Sequence, residues 1–224
     1  MTLLSRANVH DPGSFSNRMR SRRFAIFDAL VRTLPRPVRI LDVGGTNEFW
    51  ERRGWAGRDD VLITTVNLQA EPKAHANVDP RKGNATAMPE YGDRSFDIVF
   101  SNSVIEHLFT WEAQERMASE VRRIARAYWV QTPNFWFPIE PHFLFPAWHW
   151  MPEDLRVALI RRRKFGWTEP IRDPVRAREV IREIRLLTGA EMRRLFPAAT
   201  IMPERFGGLV KSWVAHHGFG AGTP

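Results

Sequence analysis

Short apolar runs alternate along the chain with longer amphipathic stretches, regularly enough to place most of its elements. Between Ser16 and Leu34 the apolar positions Phe24, Phe27, Leu30, Val31 and Leu34 share one helical face, and Pro35 and Pro37 end the pattern. Val38–Val43 then reads as a buried strand and Val61–Asn67 as a second, rich in β-branched residues. A weaker strand is expected near Ala76–Asp79, a fourth over Ser95–Ser101 and a fifth over Tyr128–Thr132. Between the last two, Met117, Val121, Ile124 and Ala125 recur at helical spacing, which predicts a helix from about Trp111 to Ala127. Ala199–Met202 and Leu209–Ala215 read as two strands joined across Gly207-Gly208. The first fifteen residues read as an irregular arm, and those after His216 as a frayed tail.

Strands that alternate with helices make an α/β fold, a three-layer arrangement with a mostly parallel sheet covered on both faces. The last two strands follow one another without a helix, so one antiparallel hairpin is expected at a sheet edge. An open parallel sheet binds its ligand beyond the carboxyl ends of its strands. Asp42 to Thr46, Asn67, Asn84-Ala85 and Ser101-Asn102 all fall at or just past such ends. The organisation expected is a single domain over residues 1–224. Within it, 1–37 is an arm and helix, 38–134 a ligand-binding core, and 135–187 an aromatic and helical insertion that serves as a lid. A C-terminal helix and hairpin (188–216) and a tail (217–224) follow.

Composition narrows the chemistry. The 224 residues contain no cysteine, which excludes disulfides, thiolate metal sites and a cysteine nucleophile, and suits a reducing cytoplasm. No apolar run approaches the roughly 20 residues of a membrane span, and no leader sequence is evident at the start. The net charge of +8 is carried almost wholly by arginine, since Lys73, Lys82, Lys164 and Lys211 are the only lysines. That balance fits either a solvated basic surface or an anionic partner. The insertion crowds Phe135, Trp136, Phe137, Phe143, Phe145, Trp148 and Trp150 among prolines. It reads as a core beneath a lid, a stacking wall for an acceptor, or a surface for lipid-linked substrates at a membrane.

The segment Ile40-Leu41-Asp42-Val43-Gly44-Gly45-Thr46 is a buried strand that hands a glycine turn to a ligand. Two further segments follow in order, Gly83-Asn84-Ala85-Thr86-Ala87-Met88-Pro89 and Ser95-Phe96-Asp97-Ile98-Val99-Phe100-Ser101-Asn102-Ser103-Val104-Ile105-Glu106-His107-Leu108. Together they resemble class I S-adenosylmethionine (SAM) dependent methyltransferases, from about Val38 to Ala215. Thr132-Pro133-Asn134 with Pro138-Ile139-Glu140-Pro141-His142 resembles a bacterial subgroup of glycan and secondary metabolism. The resemblance implies a Rossmann-like seven-stranded sheet with a reversed strand. It implies SAM as cofactor and S-adenosylhomocysteine as product. Gly44, Gly45 and Thr46 would pass beneath the methionine moiety, and Asp42 would help to hold its ammonium. Asn67, beside Leu68, would meet the ribose, Asn84 and Ala85 the adenine, and Ser101 and Asn102 would lie near the reacting methyl. The family's usual Gly-x-Gly is here Gly-Gly-Thr, and asparagine stands for the usual acid at both 67 and 84.

A dinucleotide would demand three glycines and a helix start open to pyrophosphate. Glu48, Phe49 and Trp50 occupy that place, which favours a zwitterionic amino-acid moiety instead. For the acceptor, a hydroxyl on a small molecule or glycan is expected, with His107 or His142 as base or positioner. Glu140 or Glu106 would orient one of these imidazoles or bind a metal, and no metal site is assigned. Nucleic acid is disfavoured because the turn after the fourth strand, Ser101-Asn102-Ser103-Val104, lacks the Asn/Asp-Pro-Pro-aromatic pattern of exocyclic-amine methylation. A non-catalytic module on the same fold and an RNA methyltransferase are the alternative readings.

Overall fold

The computed structural model describes residues 15–220, so the expected arm at 1–14 and residues 221–224 lie outside the described chain. Helix α1 (Phe15–Val31) leads into β1 (Val38–Val43), a six-residue helix α2 (Asn47–Arg52), β2 (Val61–Asn67), β3 (Val78–Lys82) and β4 (Phe96–Asn102). After a 3-10 turn at Ile105–His107 come α3 (Trp111–Ile124), β5 (Ala125–Pro133), and the insertion with α4 (Glu153–Ile160) and α5 (Pro174–Arg182). Helix α6 (Gly189–Leu195) precedes the closing hairpin of β6 (Thr200–Phe206) and β7 (Leu209–His217). One seven-stranded sheet results, in the order β3-β2-β1-β4-β5-β7-β6.

Strands β1 to β5 pair in parallel, and β7 runs antiparallel to both β5 and β6. The hairpin sits at the sheet edge as expected, and its reversed strand is the inner one, β7. Gly207 and Gly208 turn it, with φ of 55° and 83°. Positive φ at both central residues matches the twist of the flanking strands. Within β1, Val38 and Ile40 face one layer while Leu41 and Val43 face the other, as a pleated strand buried on both sides requires. Phe27 and Val31 of α1, with Trp50 and Trp55, cover the first face. Met117, Val121 and Ile124 of α3, with Met192 and Leu195 of α6, cover the second.

The insertion has its own small core of Phe143, Trp148, Val157, Ile160, Phe165, Ala177 and Ile181. Of its aromatic residues, Phe137, Phe143, Trp148 and Phe165 are packed away, while Trp136, Phe145, Trp150 and Trp167 are exposed. No helix among the described residues is long and apolar enough to cross a membrane. The tail expected from residue 217 does not fray at its start. Phe219 is buried, and its carbonyl accepts from Thr33 Oγ1 at 2.7 Å. The apolar ring finds a place beside Phe27, which local sequence could not foresee.

Candidate active site

From β1 the chain builds outward to β2 and β3, then returns to place β4 on the other side of β1. Open α/β sheets bind ligands in the crevice at such a switch point. A cleft of about 300 Å³ lies there, walled by the turn after β1 (Asp42, Gly44, Gly45, Thr46), by Glu48, Phe49, Arg52 and Arg53, by Phe100, Asn102 and Ser103, and by Asn17 and Arg20 of α1.

Each position of the turn has a local reason. Gly44 has φ +83°, and a Cβ on it would come within 2.3 Å of Val104. A Cβ on Gly45 would lie 1.8 Å from Asp42 Oδ2. Thr46 is extended, with φ −129°, and its hydroxyl accepts from Phe49 N to cap α2. Two adjacent glycines and a helix cap thus replace the alternating pair, and the Thr46 hydroxyl is turned to the helix. Asp42 is 1% exposed, and its Oδ2 accepts from Trp50 Nε1 at 2.8 Å. Burial pushes its carboxyl up to about 8, against the opposing effect of that bond. At the start of α2, Glu71 Oε2 accepts from Asn47 N at 2.7 Å. At the helix start the N–H groups of Asn47 and Phe49 are thus already taken by Glu71 and Thr46, and the Glu71 carboxylate would repel a pyrophosphate.

Of the residues expected to hold a cofactor, the cleft gathers Asp42, Gly44, Gly45, Thr46 and Asn102 into one wall. Asn67 supports that wall from behind, with Nδ2 donating to Gly45 O at 2.6 Å. Asn84 Oδ1 accepts from Thr86 N and Oγ1, a local turn, while Leu68 is exposed and Ala85 packs at the edge of the core. Ser101 is fully buried, and its hydroxyl donates to Val43 O, tying β4 to β1. The arginines were missed by the sequence reading. Arg23 donates to Glu204 Oε2 and to Asn102 Oδ1, both at 2.9 Å. Arg20 lies beside it, pushed down to about 10 by burial and by neighbouring Arg23 and Arg53. Arg20 and Arg23 sit one turn before Phe24 and Phe27 on the inward stripe of α1, so arginine on an apolar face was the available signal.

His107 and His142, far apart in sequence, face one another with Nε2 atoms 3.2 Å apart. Glu140 is 1% exposed, and its Oε2 accepts from the backbone N–H of His142 and Phe143. Its Oε1 takes the Nδ1–H of His142 at 2.5 Å. That fixes the tautomer and leaves Nε2 of His142 as the working nitrogen. Burial lowers the pKa of His142, but the hydrogen bond and charge of Glu140 outweigh it and raise the pKa overall. His107 reaches the surface, yet crowding by protein, with His142 adding to it, pushes its pKa down to about 4. Glu106 is fully buried; Thr132 Oγ1 donates to its Oε2 at 2.9 Å, and its Oε1 has no partner. Desolvation raises its carboxyl to about 7. All four candidate catalytic residues therefore meet, a few residues past the cleft wall at Ser103.

A second cavity, of about 350 Å³, borders this cluster through Glu140. Phe135, Phe143, Trp148, His149, Arg156 and Arg185 are among its lining residues. Trp148 Nε1 and Arg156 Nε are buried without a hydrogen-bond partner. Both nitrogens are covered by protein, and the cavity lining sets Arg156 and Arg185 against the apolar walls of Phe135 and Phe143. His149, for which no role was expected, also lines it, its Nε2 held by Phe135 O at 2.6 Å.

Comparison with known proteins agrees with this architecture. Residues 55–127 match the family described as "Methyltransferase domain". Two curated relatives, the uncharacterized proteins MT1557 and Rv1509 of Mycobacterium tuberculosis, are 29% identical over 122 residues. The match covers 54% of this chain and 40% of each relative, so the chain spans about two fifths of their length. Among solved structures, the CurJ carbon methyltransferase aligns with a TM-score of 0.56 at 12% identity, over 94% of this chain and 57% of that one. A Rhodobacter sphaeroides structure described as a Zn-dependent alcohol dehydrogenase aligns with a TM-score of 0.50 at 11% identity, over 84% and 87%. At these identities the likeness is one of fold. The sheet has the fold of the CurJ carbon methyltransferase, and the methyltransferase domain match is confined to residues 55–127.

Proposed function

We propose that this protein transfers a methyl group from SAM to a hydroxyl of a small molecule or glycan. The observation that carries the reading is that the Gly44-Gly45 turn follows β1 while His107 and the Glu140–His142 pair follow β4 and β5, so all lie past the carboxyl ends of neighbouring parallel strands. Bound SAM supplies a methyl on a sulfonium sulfur and leaves as S-adenosylhomocysteine. The adjacent glycines let the backbone approach its methionine moiety, and Arg20, Arg52 and Arg53 give the cleft the positive charge that suits a carboxylate. Asn102, steadied by Arg23, stands at the end of β4 beside the same cleft. Asn67 would accept from the ribose through Oδ1 while its Nδ2 stays on Gly45 O, and Asn84 would face the adenine with Nδ2 while its Oδ1 holds Thr86.

The acceptor occupies the second cavity, where the guanidinium groups of Arg156 and Arg185 suit its oxygens and Phe135 and Phe143 offer flat apolar walls. Its reacting hydroxyl reaches His142 Nε2, which takes the proton as the oxygen forms its bond to the methyl carbon. The sulfur keeps the electron pair of the bond that breaks. Glu140 holds the imidazole in the required tautomer and stabilises the imidazolium. His107, kept uncharged, lies against the same nitrogen.

Calorimetry with S-adenosylhomocysteine on folded protein tests the cofactor; absence of binding removes the enzyme reading. Labelled SAM offered with pools of hydroxylated small molecules and glycans tests the acceptor. Cofactor binding with no labelled product from any pool would instead support a non-catalytic module on this fold.

A further inference from the structure

We propose that Glu106, His107 and His142 form a binding site for a divalent transition-metal ion. One ligand atom from each lies within 4.8 Å of the others. Two imidazole nitrogens bound to one ion at about 2.1 Å, at angles between roughly 90° and 110°, stand about 3.0–3.4 Å apart. The observed separation of the two Nε2 atoms is 3.2 Å. Two lone pairs at that distance also require a positive charge between them, either a proton or an ion.

The surroundings are those of a ligand set. His142 gives its Nδ1–H to Glu140, the carboxylate–histidine arrangement that turns Nε2 toward a metal and makes it more basic. Glu140 is in turn fixed by two backbone N–H groups, so the arrangement is rigid. Glu106 brings a carboxylate oxygen, Oε1, that is buried and without a partner, while Thr132 holds the other. An unpartnered carboxylate oxygen in the interior is costly, and a cation beside it removes the cost. Two imidazoles and one carboxylate are ligands for zinc, manganese, iron or cobalt rather than for magnesium or calcium, and three protein ligands leave positions open.

What the ion does rests on the methyl-transfer reading above. The acceptor hydroxyl occupies an open position, and the ion lowers its pKa so that the proton leaves to solvent before transfer. His142 is then a ligand, and it takes the proton itself only when the ion is absent.

Cobalt(II) is the probe, because its visible absorption reports its ligands without any need for turnover. Untagged protein stripped with chelator is titrated with cobalt(II), and S-adenosylhomocysteine binding is measured on the same sample. One equivalent is expected to bind with new absorption bands. At least tenfold weaker binding is expected in His107→Ala, a surface residue, and in Glu140→Gln, which keeps the side chain's size and its acceptor for the backbone N–H groups but loses the charge that holds His142. Absent binding, or binding unchanged in His107→Ala, overturns the metal site. If S-adenosylhomocysteine still binds in that case, the methyltransferase reading stands with His142 as base. If S-adenosylhomocysteine fails to bind while cobalt binds, the metal site stands and the methyltransferase reading falls.

Discussion

Gly45 is glycine because the Asp42 carboxylate fills the space its side chain would need. Gly45→Ala should cost about 1–3 kcal/mol of stability by overpacking, read from denaturant midpoints. Affinity for S-adenosylhomocysteine should fall with it; a variant of unchanged stability and affinity would remove the steric argument. Asp42 itself makes stability depend on pH. Its folded pKa, about 8, lies above its ordinary value near 4, so the folded state keeps a proton that the unfolded state gives up. Its contribution is complete below about pH 4 and is lost as pH rises toward 8. Asp42→Asn cannot ionise and can still accept from Trp50, so its Tm relative to the parent should climb from pH 5 to pH 8. A constant difference across that range would mean that Asp42 is ionised in the fold. The sequence made the aspartate and the two glycines legible as a ligand turn. That Trp50 bonds the aspartate and Thr46 caps a helix was not legible, because a six-residue helix carries too short a pattern.

At the scale of elements, the hairpin steadies the cleft through α1. Glu204 on β6 holds Arg23 of α1, Arg23 holds Asn102 at the end of β4, and Ser212 on β7 donates to Glu204 at 2.5 Å. Arg23 is 8% exposed, so Glu204→Ala leaves a buried charge without its partner. A loss of about 3–5 kcal/mol is expected, with weaker cofactor binding as Asn102 loosens. Ser212→Ala removes one hydrogen bond and should cost only about 1 kcal/mol. Equal effects in the two variants would deny that the ion pair matters. The hairpin itself was readable from two β-branched runs across a glycine pair. Helix α3 was readable too, but it stops at Ile124 rather than near Ala127, because β5 takes up Ala125 directly. Alanine and isoleucine fit the inward face of a helix or a strand, so periodicity alone could not divide them.

At the scale of the molecule, the core of the insertion stands apart from the cores on the two faces of the sheet, and its ends are already joined. Asn134 bridges Leu187, and Phe135 N donates to Leu187 O at 3.0 Å. Excision of residues 138–184 with a short glycine-serine bridge should therefore leave S-adenosylhomocysteine affinity within about threefold, since the cleft takes no wall from that segment. Methyl transfer should be lost, because Glu140, His142 and much of the acceptor cavity go with it. Cofactor affinity that collapses in the excised protein would show instead that the two parts are one unit. The sequence by itself determined the order of the strands and of the two longest helices, the glycine turn and the residue types able to move a proton. Those follow from local periodicity and from backbone freedom at single positions. The tertiary structure alone decided that His107 meets His142 across 35 residues and that Arg23 meets Glu204 across 181. Such meetings depend on which strands become neighbours in the sheet and where the chain crosses back, and no local pattern carries that information.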